Sequence, residues 1–258
     1  MQEIDFSITP GKKIYFASDF HFGVPNHEIS LQRERKVVSW IESIRNDAES
    51  IFLLGDLFDF WFEYRKAVPK GFVRFLGKLA EIQDAGINVY IFPGNHDLWM
   101  FDYLPTEIGA KVYMDPVVLR VGNQRLLIGH GDGLGPGDKT YKFLKKVFTS
   151  SLCQWLFARI HPNLGISLAQ RWSKNSRLSN MKLEEKFQGE DREFLLAWCN
   201  DVEKQKHHDY YIFGHRHLPL DLKVGESSRY INLAEWVHFS YYAEFDGNDL
   251  NLKTFNQE

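Results

Sequence analysis

The sequence predicts an α/β fold, on three observations. Short apolar runs of four or five residues alternate with stretches of helical periodicity. The runs end in glycine-bearing polar clusters. The 258 residues, 44% of them hydrophobic, are enough to bury one large core. The order strand, helix, strand, helix, strand implies parallel pairing through right-handed crossovers.

Residues 14–18 read as a buried strand that runs into Asp19-Phe20-His21. Residues 30–48 follow a helical pattern, with Leu31, Val37, Val38, Ile41 and Ile44 on one face. A second strand over 51–54 closes on Gly55-Asp56. After a helix over 71–85, a third strand over 88–92 ends at Pro93-Gly94-Asn95-His96-Asp97. Residues 117–121 and 125–128 flank Gly122-Asn123, a hairpin turn, and the second of them runs into Gly129-His130-Gly131-Asp132-Gly133. A helix over 190–206 precedes a strand over 210–213 and the cluster Gly214-His215-Arg216-His217. Short strand-like runs joined by Gly and Asn turns continue to about residue 254. There is no internal repeat and no low-complexity segment.

Composition narrows the class further. The net charge of -3 gives no sign of a nucleic-acid partner. Cys153 and Cys199 are far apart and lack CxxC spacing, so a reducing compartment is expected rather than a disulfide framework. Residues 1–30 lack the basic, apolar, small-residue succession of a secretory leader. No stretch approaches the roughly 20 apolar residues of a spanning helix. The expectation is a cytoplasmic protein, soluble or surface-associated.

Five polar clusters follow five buried strands, and in open α/β sheets ligands bind at that end of the strands. Asp19 and His21 are two residues apart, as are His215 and His217. Asp56 follows a glycine, Asn95 offers an amide oxygen, and His130 lies between two glycines. Each piece alone has a plain reading: two solvated side chains, a turn, a helix cap. Together they form a set of imidazoles and hard oxygens without thiolate, suited to Mn, Fe, Co or Zn. Seven such groups exceed what one four-coordinate zinc takes. Two ions sharing a carboxylate would use them, with Asp56 the candidate bridge. Such a pair clamps a phosphoryl group and activates water.

The succession Asp19-x-His21, Gly55-Asp56, Gly94-Asn95-His96-Asp97, Gly129-His130, Gly214-His215-x-His217, over about residues 13–218, resembles the calcineurin-like metallophosphoesterases. The resemblance implies an αββα sandwich, two packed mixed β-sheets flanked by helices, as a single domain over 1–258. It implies that Asp19, His21, Asp56 and His217 hold one ion and that Asp56, Asn95, His130 and His215 hold the other, with Mn2+ expected. Asn95, His96 and Asp97 would be the catalytic cluster. His96 would stabilise the transition state or protonate the leaving oxygen, and Asp97 would orient it.

Residues 139–183 differ from the rest. They carry nine Lys or Arg and no Asp or Glu, which leaves -12 for the remainder of a chain whose total is -3. Leu144, Val147, Phe148, Leu152, Trp155 and Leu156 recur at helical spacing, Pro162 marks a break, and a second helix runs through residues 168–172. Two basic amphipathic helices inserted after His130 read as a cap over the metal site, suited to an acyl-chain substrate and a lipid surface. The plainer alternative is a stripe packed on the domain with a solvated basic face.

This cap, with Gly55-Asp56-Leu57-Phe58-Asp59-Phe60-Trp61, His130-Gly131-Asp132-Gly133-Leu134 through Asp138 and Tyr141, and the run 171–177, resembles the UDP-2,3-diacylglucosamine hydrolases of lipid A synthesis. That branch implies pyrophosphate cleavage of an amphipathic nucleotide-sugar lipid, giving UMP and 2,3-diacylglucosamine 1-phosphate, on the cytoplasmic face of the inner membrane; a monomer is expected. Substrate contacts would come from Asn95, His96, Asp138, Ser173, Asn175, Arg177 and His215. Two departures stand out: His96 where the best-known branch has Arg, and Gly-Pro-Gly at 135–137 where it has Cys-Thr and an acid. The competing readings are a general phosphodiesterase and a scaffold that keeps the fold without the chemistry.

Overall fold

The computed structural model describes residues 1–136, 139–184 and 186–256, the stretch 174–184 by its backbone alone. The chain opens with β1 (Gln2–Phe6), which lacks a continuous apolar run and so escapes the sequence reading. The three predicted strands follow as β2 (Lys13–Ala17), β3 (Ala48–Leu54) and β4 (Asn88–Phe92). They pair side by side in parallel, as the strand–helix rhythm requires. Their crossovers are α1 (His27–Ile44) and α2 (Val73–Asp84). The Asn26 side chain caps α1 by accepting from Ile29 N at 3.0 Å. Glu34 of α1 accepts from Arg74 N and Phe75 N at 2.8 and 3.1 Å, so one helix caps the next.

The short β5 (Lys111–Val112) edges that sheet. β6 (Val117–Val121) and β7 (Gln124–Ile128) form the expected antiparallel hairpin across Gly122-Asn123. The cap helices α3 (Lys139–Thr149), α4 (Ser151–Phe157) and α5 (Pro162–Glu184) come next. The chain then completes α6 (Phe194–Glu203), β8 (Tyr210–Phe213), β9 (Pro219–Val224), β10 (Ser228–Leu233), β11 (Tyr241–Phe245) and β12 (Leu250–Thr254).

Two six-stranded mixed sheets result, in the orders β1-β6-β7-β8-β10-β9 and β12-β11-β2-β3-β4-β5. Strand alternation explains their stacking. Ile14 and Phe16 point into the space between the sheets, where they meet Phe52, Phe92, Leu119, Ile128 and Ile212. Tyr15 and Ala17 point the other way, to Val37 and Trp40 of α1 and to Phe75 and Leu79 of α2. With both faces buried, the runs are apolar throughout rather than alternating. On the far side α6 covers Leu127, Tyr211 and Phe213 with Leu195, Leu196 and Cys199. The layering is helix, sheet, sheet, helix, as the resemblance implied.

The cap differs from the sequence reading. Three helices replace two, because the stripe from Leu144 to Leu156 breaks at Ser150, whose backbone is extended (φ -67°, ψ 124°). Pro162 opens α5 rather than ending α4, at the position where its missing N–H is no loss.

Candidate metal centre

The clusters after β2, β3, β4, β7 and β8 meet at one end of the two sheets. Asp19, His21, Asp56 and His217 offer ligand atoms that all lie within 4.8 Å of one another. The Nε2 atoms of His21 and His217 stand 3.1 Å apart. His217 Nε2 is 3.2 Å from Asp19 Oδ1, and His21 Nε2 is 3.9 Å from Asp56 Oδ2. Two imidazoles and two carboxylates converging on one point fit a divalent cation.

The other three predicted ligands gather beside them. Asn95 Oδ1 lies 3.0 Å from His215 Nδ1 and 3.3 Å from His130 Nε2. His130 Nε2 is 3.5 Å from Asp56 Oδ2. That oxygen therefore faces both groups, while Asp56 Oδ1 is held by His96 N at 2.8 Å. The structure thus gives Asp56 the central position expected of a bridge. His130 Nδ1 donates to Leu54 O at 2.7 Å, which fixes the tautomer and leaves Nε2 to the centre.

The buried charges of this donor set act strongly on one another. Burial lowers the His215 pKa to about 4, helped by the charge of His130, so its lone pair is free. Burial also acts to lower His130, but Asp56, Asp19 and Asp132 carry it up to about 10. Burial acts to raise Asp56, yet His130, His96 and His21 hold its carboxyl well below the usual range. These buried carboxylates draw positive charge inward, and a divalent cation would supply it.

Local backbone geometry is unusual here. Asp19, His21, Asp56, His215 and His217 have φ of 56°, 46°, 52°, 69° and 54°, left-handed values that non-glycine residues rarely adopt. Each costs about 1–3 kcal/mol, which the surrounding packing must offset. Neighbouring glycines make room. A Cβ on Gly94 would collide with Asp56 Oδ1, and one on Gly214 with Asp19 Oδ2. Gly214→Ala is therefore expected to lower metal affinity at least about tenfold and stability by about 1–3 kcal/mol. Metal titration and thermal melting would check this.

The remaining predicted residues divide. Asp97 does not orient His96, contrary to the sequence expectation. Its buried carboxylate accepts from Gly94 N at 2.6 Å, Leu57 N at 2.7 Å, Phe58 N at 3.2 Å and Asp56 N at 3.3 Å. Deep burial with four converging backbone donors makes it a brace between the loops that carry Asp56 and Asn95. His96 Nδ1 faces Asp59 O at 3.2 Å and Ser173 Oγ at 2.9 Å instead. Ser173 reaches His96 and lines the cavity beside the centre, whereas Asp138 and the side chains of Asn175 and Arg177 lie outside the described residues.

Some participants carry no role in the sequence reading. Asp59 sits three residues after Asp56 in a quoted motif, and only the fold shows what it touches. Asp132 is buried and accepts from Tyr141 Oη and, at 2.7 Å, from Lys145 Nζ. Lys142 Nζ donates to Gly135 O at 2.6 Å. Part of the cap's basic face thus ties α3 to the loop after His130 rather than facing solvent. Arg216 Nε lies 3.1 Å from both oxygens of buried Glu193, anchoring the loop of His215 and His217.

Between cap and centre is a cavity of about 670 Å³. Asp56, Asn95, His215 and His217 line one part, and Leu144, Phe148, Phe157, Leu168 and Trp172 another. The size is that of a pocket for a sizeable small molecule, and the lining is polar where the ligands converge and apolar beneath the cap.

A family described as Calcineurin-like phosphoesterase matches residues 12–219. The chain is 36% identical over 254 residues to a Porphyromonas gingivalis protein named UDP-2,3-diacylglucosamine hydrolase, covering 94% of this chain and 97% of that one. It is 26% identical over 243 residues to a Pseudomonas paraeruginosa protein of the same name, covering 91% and 95%. Among solved structures, Yfce, a phosphoesterase from E. coli, superposes with a TM-score of 0.47 at 17% identity, covering 94% of this chain and 92% of that one.

Proposed function

The chain belongs to the calcineurin-like phosphoesterase family and is a metal-dependent hydrolase; from that premise we propose that it cleaves the pyrophosphate of UDP-2,3-diacylglucosamine to UMP and 2,3-diacylglucosamine 1-phosphate. The observation that carries the reading is the two-part cavity. Its polar part would take the diphosphate at the ligand cluster, and Phe148, Phe157, Leu168 and Trp172 would take acyl chains. The names borne by the relatives support the same substrate.

The eight-ligand arrangement, with Asp56 counted in both groups, supports two ions, and its oxygen and imidazole donors suit Mn2+. When bound, such ions supply Lewis acidity to the phosphoryl group and acidify water. The chain's own groups do the rest. Asn95 and His215 flank the phosphate position. His96, beside that cluster but outside the ligand set, donates to the oxygen that departs. Asp97 holds the loops in register. Mn2+-loaded protein should release UMP from UDP-2,3-diacylglucosamine in mixed micelles. Absent release beside ready turnover of a soluble diester would refute the lipid assignment.

The outer cap supports attachment to the cytoplasmic face of the inner membrane. Phe143, Leu152, Trp155, Leu156 and Leu164 are each more than half exposed, a concentration rare on a monomer that meets only water. Arg159 lies 4.4 Å over the Trp155 ring. No helix among the described residues is long and apolar enough to cross a membrane. Adsorption rather than insertion is the fitting mode, with cations near anionic headgroups. A double variant, Leu152→Glu with Trp155→Glu, should lose at least about tenfold in binding to vesicles containing phosphatidylglycerol, since each buried apolar side chain is worth about 1.5–3 kcal/mol. Turnover of a soluble diester should not change. Unaltered vesicle binding in a flotation assay would rule out this face.

A further inference from the structure

We propose that Ser173, a residue of the cap, is a positioning residue for His96 rather than a substrate contact; this rests on the role given to His96 above. Ser173 is 5% exposed and, among the described side chains of the cap, is the one that is buried. Its Oγ lies 2.9 Å from His96 Nδ1 and donates to Asp59 Oδ1 at 3.1 Å.

A serine hydroxyl has one proton to donate. If that proton is committed to the Asp59 carboxylate, the oxygen must accept from His96 Nδ1–H. The chain of bonds then runs from His96 Nδ1–H to Ser173 Oγ–H to Asp59 Oδ1. Asp59 Oδ1 stands 3.8 Å from His96 Nδ1, too far for a direct hydrogen bond, so the hydroxyl bridges the gap. Asp59 O at 3.2 Å offers the same nitrogen a second acceptor. With Nδ1 committed, the ring's other nitrogen, Nε2, is left for the reacting groups. The ring meets His21 edge-on, with centroids 5.3 Å apart. One residue of this relay, Ser173, comes from α5 and the other two come from the core, so it exists only when the cap is seated.

The test compares Ser173→Ala, His96→Ala and the double variant on two substrates. One is the diacylated nucleotide sugar. The other is the phenyl ester of thymidine monophosphate, a soluble diester without acyl chains. Loss of an orienting partner costs about 10–100-fold in activity. Ser173→Ala should therefore lower kcat about tenfold on both substrates, with KM, metal content and melting temperature unchanged. In the His96→Ala background it should add nothing. No loss of kcat, a loss confined to the lipid and seen in KM, or a loss that persists without His96 would overturn the proposal. If the lipid is not turned over at all, the substrate assignment fails, and the soluble diester decides the role of Ser173 by itself.

Discussion

Asp56→Asn is expected to lower hydrolysis by about 10³-fold or more and to release the bound ions. Weakening a group that merely orients a ligand already costs about 10–100-fold, and Asp56 is central to both ligand groups. The substitution isolates charge from shape. Asn keeps an oxygen that can accept from His96 N, so the loop retains its 2.8 Å tie. What disappears is the negative charge between His21 and His130, which stand 3.9 and 3.5 Å from Asp56 Oδ2. Metal analysis of the purified variant should find depleted occupancy, and activity should recover only partly at high metal concentration. Full occupancy with near-normal turnover would remove Asp56 from the bridging position.

His96→Ala should behave in the opposite way on metal and alike on rate. Its backbone N braces Asp56, but its side chain turns toward Asp59 and Ser173. The variant should keep its ions and lose about 10²–10⁴-fold in kcat, the usual contribution of a positioned general acid. The loss should shrink on a p-nitrophenyl ester relative to the phenyl ester, because a stable departing phenolate needs no proton. An equal loss on both esters would assign His96 to charge stabilisation instead. Depleted metal in this variant would contradict its place outside the ligand set.

The parts legible in the sequence were those that strand periodicity and motif spacing can carry. β2, β3 and β4, their parallel pairing and the β6–β7 hairpin follow from apolar runs and turn residues. All seven predicted metal ligands come together because each follows a buried strand, and parallel strands deliver their C-terminal ends to one edge. The weakly patterned β1, QEIDF, gave no such signal, since its place beside β6 depends on pairing and not on its own residues. The break at Ser150 was equally silent: the apolar spacing of the cap continues across it.

The sequence by itself determined the chemical class of the centre, because the donor types and their strand-end placement are local properties. Tertiary structure decided who serves whom. Asp97 adjoins His96 in sequence, yet burial directs its carboxylate to four backbone N–H groups of two loops. Ser173 is 77 positions from His96 and still meets its ring. Lys142 and Lys145 belong to a basic stripe, but two of its charges are spent on Gly135 and Asp132 at the root of the cap. The physical reason is common to all three. A side chain's partner is set by which desolvated polar groups must be satisfied nearby, and that neighbourhood exists only after the sheets and the cap have packed.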